Sequence, residues 1–357
     1  MLKLMDLSRV DIFGNETGTI NTANCYIVRN EGDYCFPLIY GNGIKNGKDN
    51  KEAYTNSKPE NTLFLDYIDY KGRIITDPYI KDKIEKVGVI WKSDGIKVKR
   101  LKYKNNYLYF TLIKNKKRKI GENALIGVYD KEGKVIWSWH IWYYEGELKI
   151  IPVKDKTRYK KISKHLQHYV LSINLGWNGE TNTFYQWGRK DPFRGNIEKI
   201  STREGNLNLY NSISNPDKFF TDYNFEGYVN LWDSRCDGII GNGQYPNHFK
   251  LSTKTIYDPC PPGFKVPGCD VFEEIDELES EWKNSGRMFG NRIFFPASGL
   301  RDRTSGSLLG VSSNGNYWSS ASWSQTHAYY LYFNSGRVYP VNSHYRACGF
   351  SVRPFLE

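Results

Sequence analysis

Between Tyr329 and Asn334 side-chain character changes with every residue: Tyr329, Leu331 and Phe333 form a mainly apolar side, while Tyr330, Tyr332 and Asn334 are large and hydrogen-bonding. A period of two reads as a strand with one buried and one wet face. Ser335-Gly336 is a turn signal, and the short extended run Arg337-Val338-Tyr339 follows before Pro340. Gly349 to Pro354 alternates again, with Phe350 and Val352 on one side. Between these anchored segments, Asn342-Ser343-His344-Tyr345 holds no aliphatic residue and is expected to form a loop. The framework would then display Tyr330, Tyr332, Asn334, Arg337, Tyr339, Asn342, Ser343, His344 and Tyr345. Tyrosine offers large contact area at low entropic cost, and Ser and Asn offer adaptable hydrogen bonds, which is why binding loops favour them. The expectation is a ligand-binding face.

The frame YWSSA…AYYLYFNSG…V.P…R..GFSVRP, from Tyr317 to Pro354, resembles the C-terminal variable region of proteins diversified by retroelements. Those proteins carry a C-type-lectin-type fold of the formylglycine-generating-enzyme branch, and related frames occur in paralogous surface proteins of gut Bacteroidetes. The resemblance implies mutagenesis at template adenines, mostly in Asn codons, so that diversified positions hold residues reachable with an unchanged pyrimidine third base. Tyr330, Tyr332, Asn334, Arg337, Tyr339, Val341, Asn342, Ser343, His344, Tyr345 and Cys348 all meet that condition. No Lys, Glu, Gln, Met or Trp occurs from Ala328 to Phe355. Further segments resemble the same family in family order: FYQWGRKDPF from Phe184, NLWD from Asn230, TIYDPCPPGFKVP from Thr255, FFPASGLR from Phe294 and GNYWSS from Gly315. YVLSINLG from Tyr169 is similar to its opening strand, although Ser172-Ile173 stand where the family has an Asp-Arg pair.

The resemblance implies a non-enzymatic receptor- or adhesin-type protein, without a cofactor, that binds a protein or a surface glycan from a cell surface or a phage particle. One alternative is a relative of the formylglycine-generating oxidases, which would need a cysteine pair holding copper; Cys348 stands alone in the relevant stretch. The other is a surface lectin of fixed specificity. The Glu-Pro-Asn and Gln-Pro-Asp triplets of calcium-dependent sugar-binding lectins are absent.

At 357 residues the chain is long enough for two domains. Runs rich in aromatic and β-branched residues, separated by turn signals, recur at Ala23–Val28, Tyr34–Tyr40, Val87–Trp91, Tyr107–Ile113, Ala124–Tyr129 and Val135–Tyr144, and several strands at this spacing suggest a β-sandwich. NTANCYIV, FPLIYGN and GKVIWSWHIW also resemble the N-terminal module of the Bacteroidetes proteins. The expected class is α+β: an N-terminal all-β, Ig-like sandwich over residues 1–160, then a C-type-lectin-type domain over 161–357 with few helices, short strands and long loops. The Lys-rich stretch between Ile151 and His168 is the expected junction, and the variable region spans about 317–354.

One amphipathic helix is expected over Val271–Trp282, where Phe272, Ile275, Leu278 and Trp282 recur at helical spacing and Glu273, Glu274, Asp276 and Glu277 occupy a solvated face. Residues 1–165 hold 32 Lys and Arg against 20 Asp and Glu, while the remainder is almost neutral. The densest basic runs, Lys97–Lys104 and Lys114–Lys119, are expected to be solvated faces or hairpin loops, and no nucleic-acid partner is expected. No run reaches the length of a membrane-spanning helix, and Met1–Asp11 lacks the apolar core of a secretory signal. Cys25, Cys35, Cys236, Cys260, Cys269 and Cys348 are too scattered for a disulfide framework or a zinc site. His140 is expected to be a satisfied core residue, and Arg189 and Asp191 to tie loops together.

Overall fold

The computed structural model describes residues 3–115, 120–154, 167–204, 208–221, 228–235, 252–276 and 278–357. Short strands dominate a mixed α+β architecture, and the α-helices among the described residues are two short ones, α1 (Leu209–Ser214) and α2 (Cys269–Asp276). No described helix is long and apolar enough to cross a membrane. The centre of the expected junction, the basic residues 116–119, Cys236 and Glu277 lie outside the described residues.

The aromatic and β-branched runs of the first half pair into two four-stranded sheets. One is ordered β1 (Leu4–Asp6), β3 (Gly32–Pro37), β6 (Tyr107–Lys114), β5 (Ile96–Lys104); the other is ordered β2 (Cys25–Val28), β8 (Val135–Tyr144), β7 (Gly121–Tyr129), β4 (Lys86–Lys92). Their inner faces meet through aromatic rings: Phe36 of β3 lies 5.0 Å from Tyr26 of β2 and 5.2 Å from Trp139 of β8. The basic run Lys97–Lys104, expected as a solvated face or hairpin loop, belongs to the edge strand β5.

All ten residues of β8 are buried, because both of its faces are covered. Trp139 faces the first sheet, whereas Ser138, His140 and Trp142 face the second half of the chain. There Ser138 Oγ donates to Asp191 at 2.6 Å, the Tyr185 hydroxyl lies 3.4 Å from His140 Nδ1, and Trp142 Nε1 donates to the Trp177 carbonyl at 2.9 Å. His140 Nε2 bonds Asn123 Oδ1 at 2.8 Å, so the imidazole is a satisfied core group, and burial lowers its pKa to about 3. Lys190 Nζ, held by its neighbour Asp191, reaches Ser138 across the same boundary and sits 4.5 Å above the Trp137 ring. One cluster of buried apolar residues consequently runs from Leu7 to Val352. Asn24 Nδ2 crosses to the carbonyls of Ile256 and Asp258 at 2.6 and 2.8 Å. Gly41 (φ +43°) allows the closest approach, since a Cβ there would lie 2.2 Å from the Ile256 carbonyl oxygen.

The second half has short strands and long loops, whose carbonyls need partners that ladders do not supply. Buried arginines supply many of them. Arg353 donates to Asn174 Oδ1 and to the carbonyls of Leu171 and Phe294, Arg346 to those of Tyr228, Ser324 and His327, and Arg301 to those of Arg194, Ile197 and Gly306. Arg189 gathers Gln186, Ser212, Asn215 and Lys218, as a loop-tying residue should. Phe355–Leu356 lies between Tyr169–Leu171 and Phe264–Lys265 in a small sheet of its own.

The expected helix is half helix. α2 stops at Asp276, the Leu278 N–H bonds the Ile275 carbonyl, and Trp282 falls on β9 (Ser280–Lys283), which pairs antiparallel with β10 (Gly286–Phe289) and then β11 (Ile293–Pro296). Phe272, Ile275, Leu278 and Trp282 share one core because the chain doubles back onto it, so their spacing reports a common cluster and not a continuous helix.

Candidate functional site

Three antiparallel strands carry the segment singled out by its alternation: β12 (Gly315–Ser322), β13 (His327–Phe333) and β14 (Val338–Tyr345). The expected loop Asn342–Tyr345 is the second half of β14; its polar side chains belong to a ladder because His327, Ala328, Tyr329 and Tyr330 pair with them. The hairpin is closed by Asn334, whose side-chain oxygen accepts from the N–H groups of Gly336 and Arg337, both at 2.9 Å.

On one side of β13, Leu331 and Phe333 pack with Phe289, Phe295 and Tyr317, and Tyr329 packs with Cys269 and Ala321. On the other side stand Ala328, Tyr330 and Tyr332. A bulge sets Leu331 of β13 against two residues of β14, Pro340 and Val341: Tyr330 pairs with Asn342 and Tyr332 with Tyr339. That extra residue brings Tyr339, Asn342 and His344 onto the face that holds Tyr330 and Tyr332; regular pairing would have split them.

The result is a graded cluster. Tyr330 is only 4% exposed, its ring against Phe350 at 4.8 Å and Trp318 at 6.1 Å, and its hydroxyl accepts from Asn342 Nδ2 at 3.2 Å. Burial pushes that hydroxyl's pKa above its ordinary value. Tyr330 is therefore part of the support, a correction to its expected place on a wet face, and it follows from the cover that Trp318 and Phe350 provide. Tyr332 is half-buried and stacks on Tyr339 at 6.0 Å, while Asn334 Nδ2 donates to its hydroxyl at 3.0 Å. Tyr339 is 43% exposed and meets Arg337 Nη1 at 3.3 Å through its hydroxyl.

Cys348 is 2% exposed and lies behind the face. Its Sγ is 3.3 Å from His344 Nδ1. Burial raises the thiol to about 12 and lowers the imidazole, with His327 and Arg303 adding to the second shift. The pair rests as neutral thiol and neutral imidazole, without a preformed thiolate. Val341 packs toward Cys269 and Ala321, and Ser343 pairs with Tyr329 on the same side of the ladder. Tyr345 lies at the far end, 4.2 Å from the His327 ring, and the Arg303 guanidinium sits 4.4 Å over it. Arg303 is the participant that the sequence hides, since nothing in RDRTSG ties it to a tyrosine more than forty positions away.

The acidic residues of α2 and the cysteines Cys260 and Cys269 stand apart from this cluster. Glu274 bonds His168 at 3.0 Å, and Glu273 and Asp276 are exposed on α2. Cys260 and Cys269 are buried thiols that do not bridge each other. Two of the roomier hollows of the described surface, about 320 Å³ beside Trp177, Phe184 and Phe294 and about 370 Å³ on the outer side of the first sheet, include none of the face residues.

Comparison with known proteins matches residues 273–355, from α2 to the final strand, to a family model described as a domain of unknown function (DUF8237). No curated protein and no solved structure matches the chain.

Proposed function

We propose that this chain is a non-enzymatic binding protein whose recognition surface is the β13–β14 face. In this reading the second half is a C-type-lectin-type domain and the first an Ig-like sandwich that carries it at a cell surface or on a phage particle. The ligand is a protein or a surface glycan, and the face is diversified by a retroelement mechanism.

The observation that carries the reading is the separation of duties along β13 and β14. Leu331, Phe333, Tyr330 and Phe350 are buried as a doubly packed framework, while Tyr332, Asn334, Arg337, Tyr339, His344 and Tyr345 reach the surface around it. Tyr and Arg are the side chains on which specific interfaces most often rest. A face that lies apart from both of the hollows described above suits a macromolecular ligand better than a small one.

Sequencing the region encoding Tyr317–Pro354 and its genomic neighbours from many isolates tests the reading. Substitutions concentrated at Tyr332, Asn334, Arg337, Tyr339 and Asn342–Tyr345, beside a near-copy repeat and a reverse transcriptase, are expected. Uniform codons at those positions with no repeat would overturn diversification and leave a fixed binder.

A further inference from the structure

We propose that the outer face of the first sheet, along β5, docks an extended acidic segment of a protein partner. β5 is an edge strand: β6 pairs with it on one side, and among the described residues no strand pairs with the other. Lys97 and Lys99 lie opposite Ile113 and Thr111, and Lys102 and Lys104 opposite Tyr109 and Tyr107. Between Lys99 and Lys102 the register shifts at a bulge, with Arg100 at φ +50°.

That shift decides where the lysines point. The odd spacing from 99 to 102 would send the second pair of lysines to the core side of a regular strand. With the bulge, Ile96, Val98 and Leu101 turn to the core, and Lys97, Lys99, Lys102 and Lys104 stand exposed in one file about 20 Å long. None of these lysines, nor Arg100, has a carboxylate partner among the described residues. Lys102 lies 5.7 Å over the Tyr109 ring. A lysine-bearing edge also discourages strand-to-strand aggregation. Bulges serve that task as well, but the adjoining hollow of about 370 Å³, which Leu4, Asp33, Tyr34, Arg100, Lys102 and Tyr109 help to line, is no part of it.

The partner's chemistry follows from the pattern. Alternate residues of an extended segment repeat at about 7 Å, the same repeat as the lysine file, so carboxylates at every second position would meet it. The hollow, at whose rim Leu4 is 49% exposed, suits an apolar side chain that flanks the acidic run on the same face of the segment. A single-stranded nucleic acid would match the charge, but Tyr107 and Tyr109 are half-buried and offer no open platform for stacked bases.

The test uses the full chain and the anisotropy of a short labelled peptide alternating Glu and Val. A Lys-for-Glu version of that peptide and a single-stranded oligodeoxynucleotide of equal net charge serve as comparators. The Glu peptide is expected to bind, with an affinity that falls as salt rises, and the Lys peptide not to bind. Lys99→Glu/Lys102→Glu should weaken binding about tenfold or more, while Lys131→Glu, on the exposed turn before β8, leaves it unchanged. If the double reversal also lowers the melting temperature, Lys97→Gln/Lys104→Gln is the deciding variant, with a loss of about threefold or more expected. No binding of the Glu peptide, binding unaltered in both lysine variants, or tighter binding of the oligonucleotide would overturn the proposal.

Discussion

Phe333 and Tyr339 meet the same hairpin from opposite sides and should respond differently to truncation. The Phe333 ring is buried against Tyr317, Phe289 and Phe295, so Phe333→Ala is expected to cost about 3–5 kcal/mol. Tyr339 stacks on Tyr332 at the surface, and Tyr339→Ala should stay within about 1 kcal/mol. Urea midpoints measure both, and equal losses would make Tyr339 part of the framework. His140 gives a second prediction. Its folded pKa is lowered to about 3, so near pH 6.5 the unfolded chain takes up a proton that the folded one refuses. Its contribution is complete above about pH 6.5 and is lost as pH falls from there toward 3, by up to about 1.4 kcal/mol per pH unit. His344, lowered for the same first reason, acts in the same direction. His140→Gln should flatten the fall in stability between about pH 6.5 and 5, and an unchanged slope would assign it to other groups. The alternation of Tyr329, Leu331 and Phe333 against their neighbours was legible in the sequence. The burial of Tyr330 was not, because Phe350 reaches it from the next strand and local pattern carries no such information.

Two bulges do similar work in unrelated strands: one gathers Tyr339, Asn342 and His344 on the face of β13 and β14, the other aligns the lysines of β5. Bulges and ladders are set by pairing partners, which explains why Asn342–Tyr345 reads as a loop and proves to be strand, and why Lys97–Lys104, expected as a solvated face or hairpin loop, holds its lysines on the exposed face of a strand. The helix over Val271–Trp282 erred the other way, since helical spacing cannot distinguish one helix from a helix and a returning strand that share a core. The loops depend on arginine. Arg346 holds the carbonyls of Tyr228, Ser324 and His327 directly behind the face, and its guanidinium lies 4.3 Å over Trp187. Arg346→Met removes the group that ties the three carbonyls together, although those of Ser324 and His327 keep other donors, and is expected to cost about 2–3 kcal/mol, with Arg346→Lys intermediate because an ammonium cannot span them. A loss no larger than that of Tyr339→Ala, by the same urea series, would show that the loops stand without this residue.

Across the whole molecule the two halves are joined through β8, by apolar packing and by the buried bonds of Asn24, Ser138 and Lys190. Calorimetry is expected to give one cooperative transition whose van't Hoff and calorimetric enthalpies agree; two separated transitions would mean that the halves unfold independently. Gly41→Ala drives a methyl group toward the Ile256 carbonyl and should cost more than about 2 kcal/mol of stability, read as a lower midpoint of that single transition. The position of Phe355–Leu356 between two much earlier segments has a consequence for biosynthesis. A ribosome delivers residues in numerical order, so the middle of that sheet is made after both its flanks, and Arg346 and Arg353 arrive only shortly before it. Trp177, Tyr185 and Asp191, which cover the side of β8 bearing His140 and Trp142, are made earlier, but until those last residues arrive their own half cannot close around them, and the nascent chain offers an aromatic wall to whatever is nearby. Chaperone engagement during translation is the natural way to keep such a wall from finding the wrong neighbour.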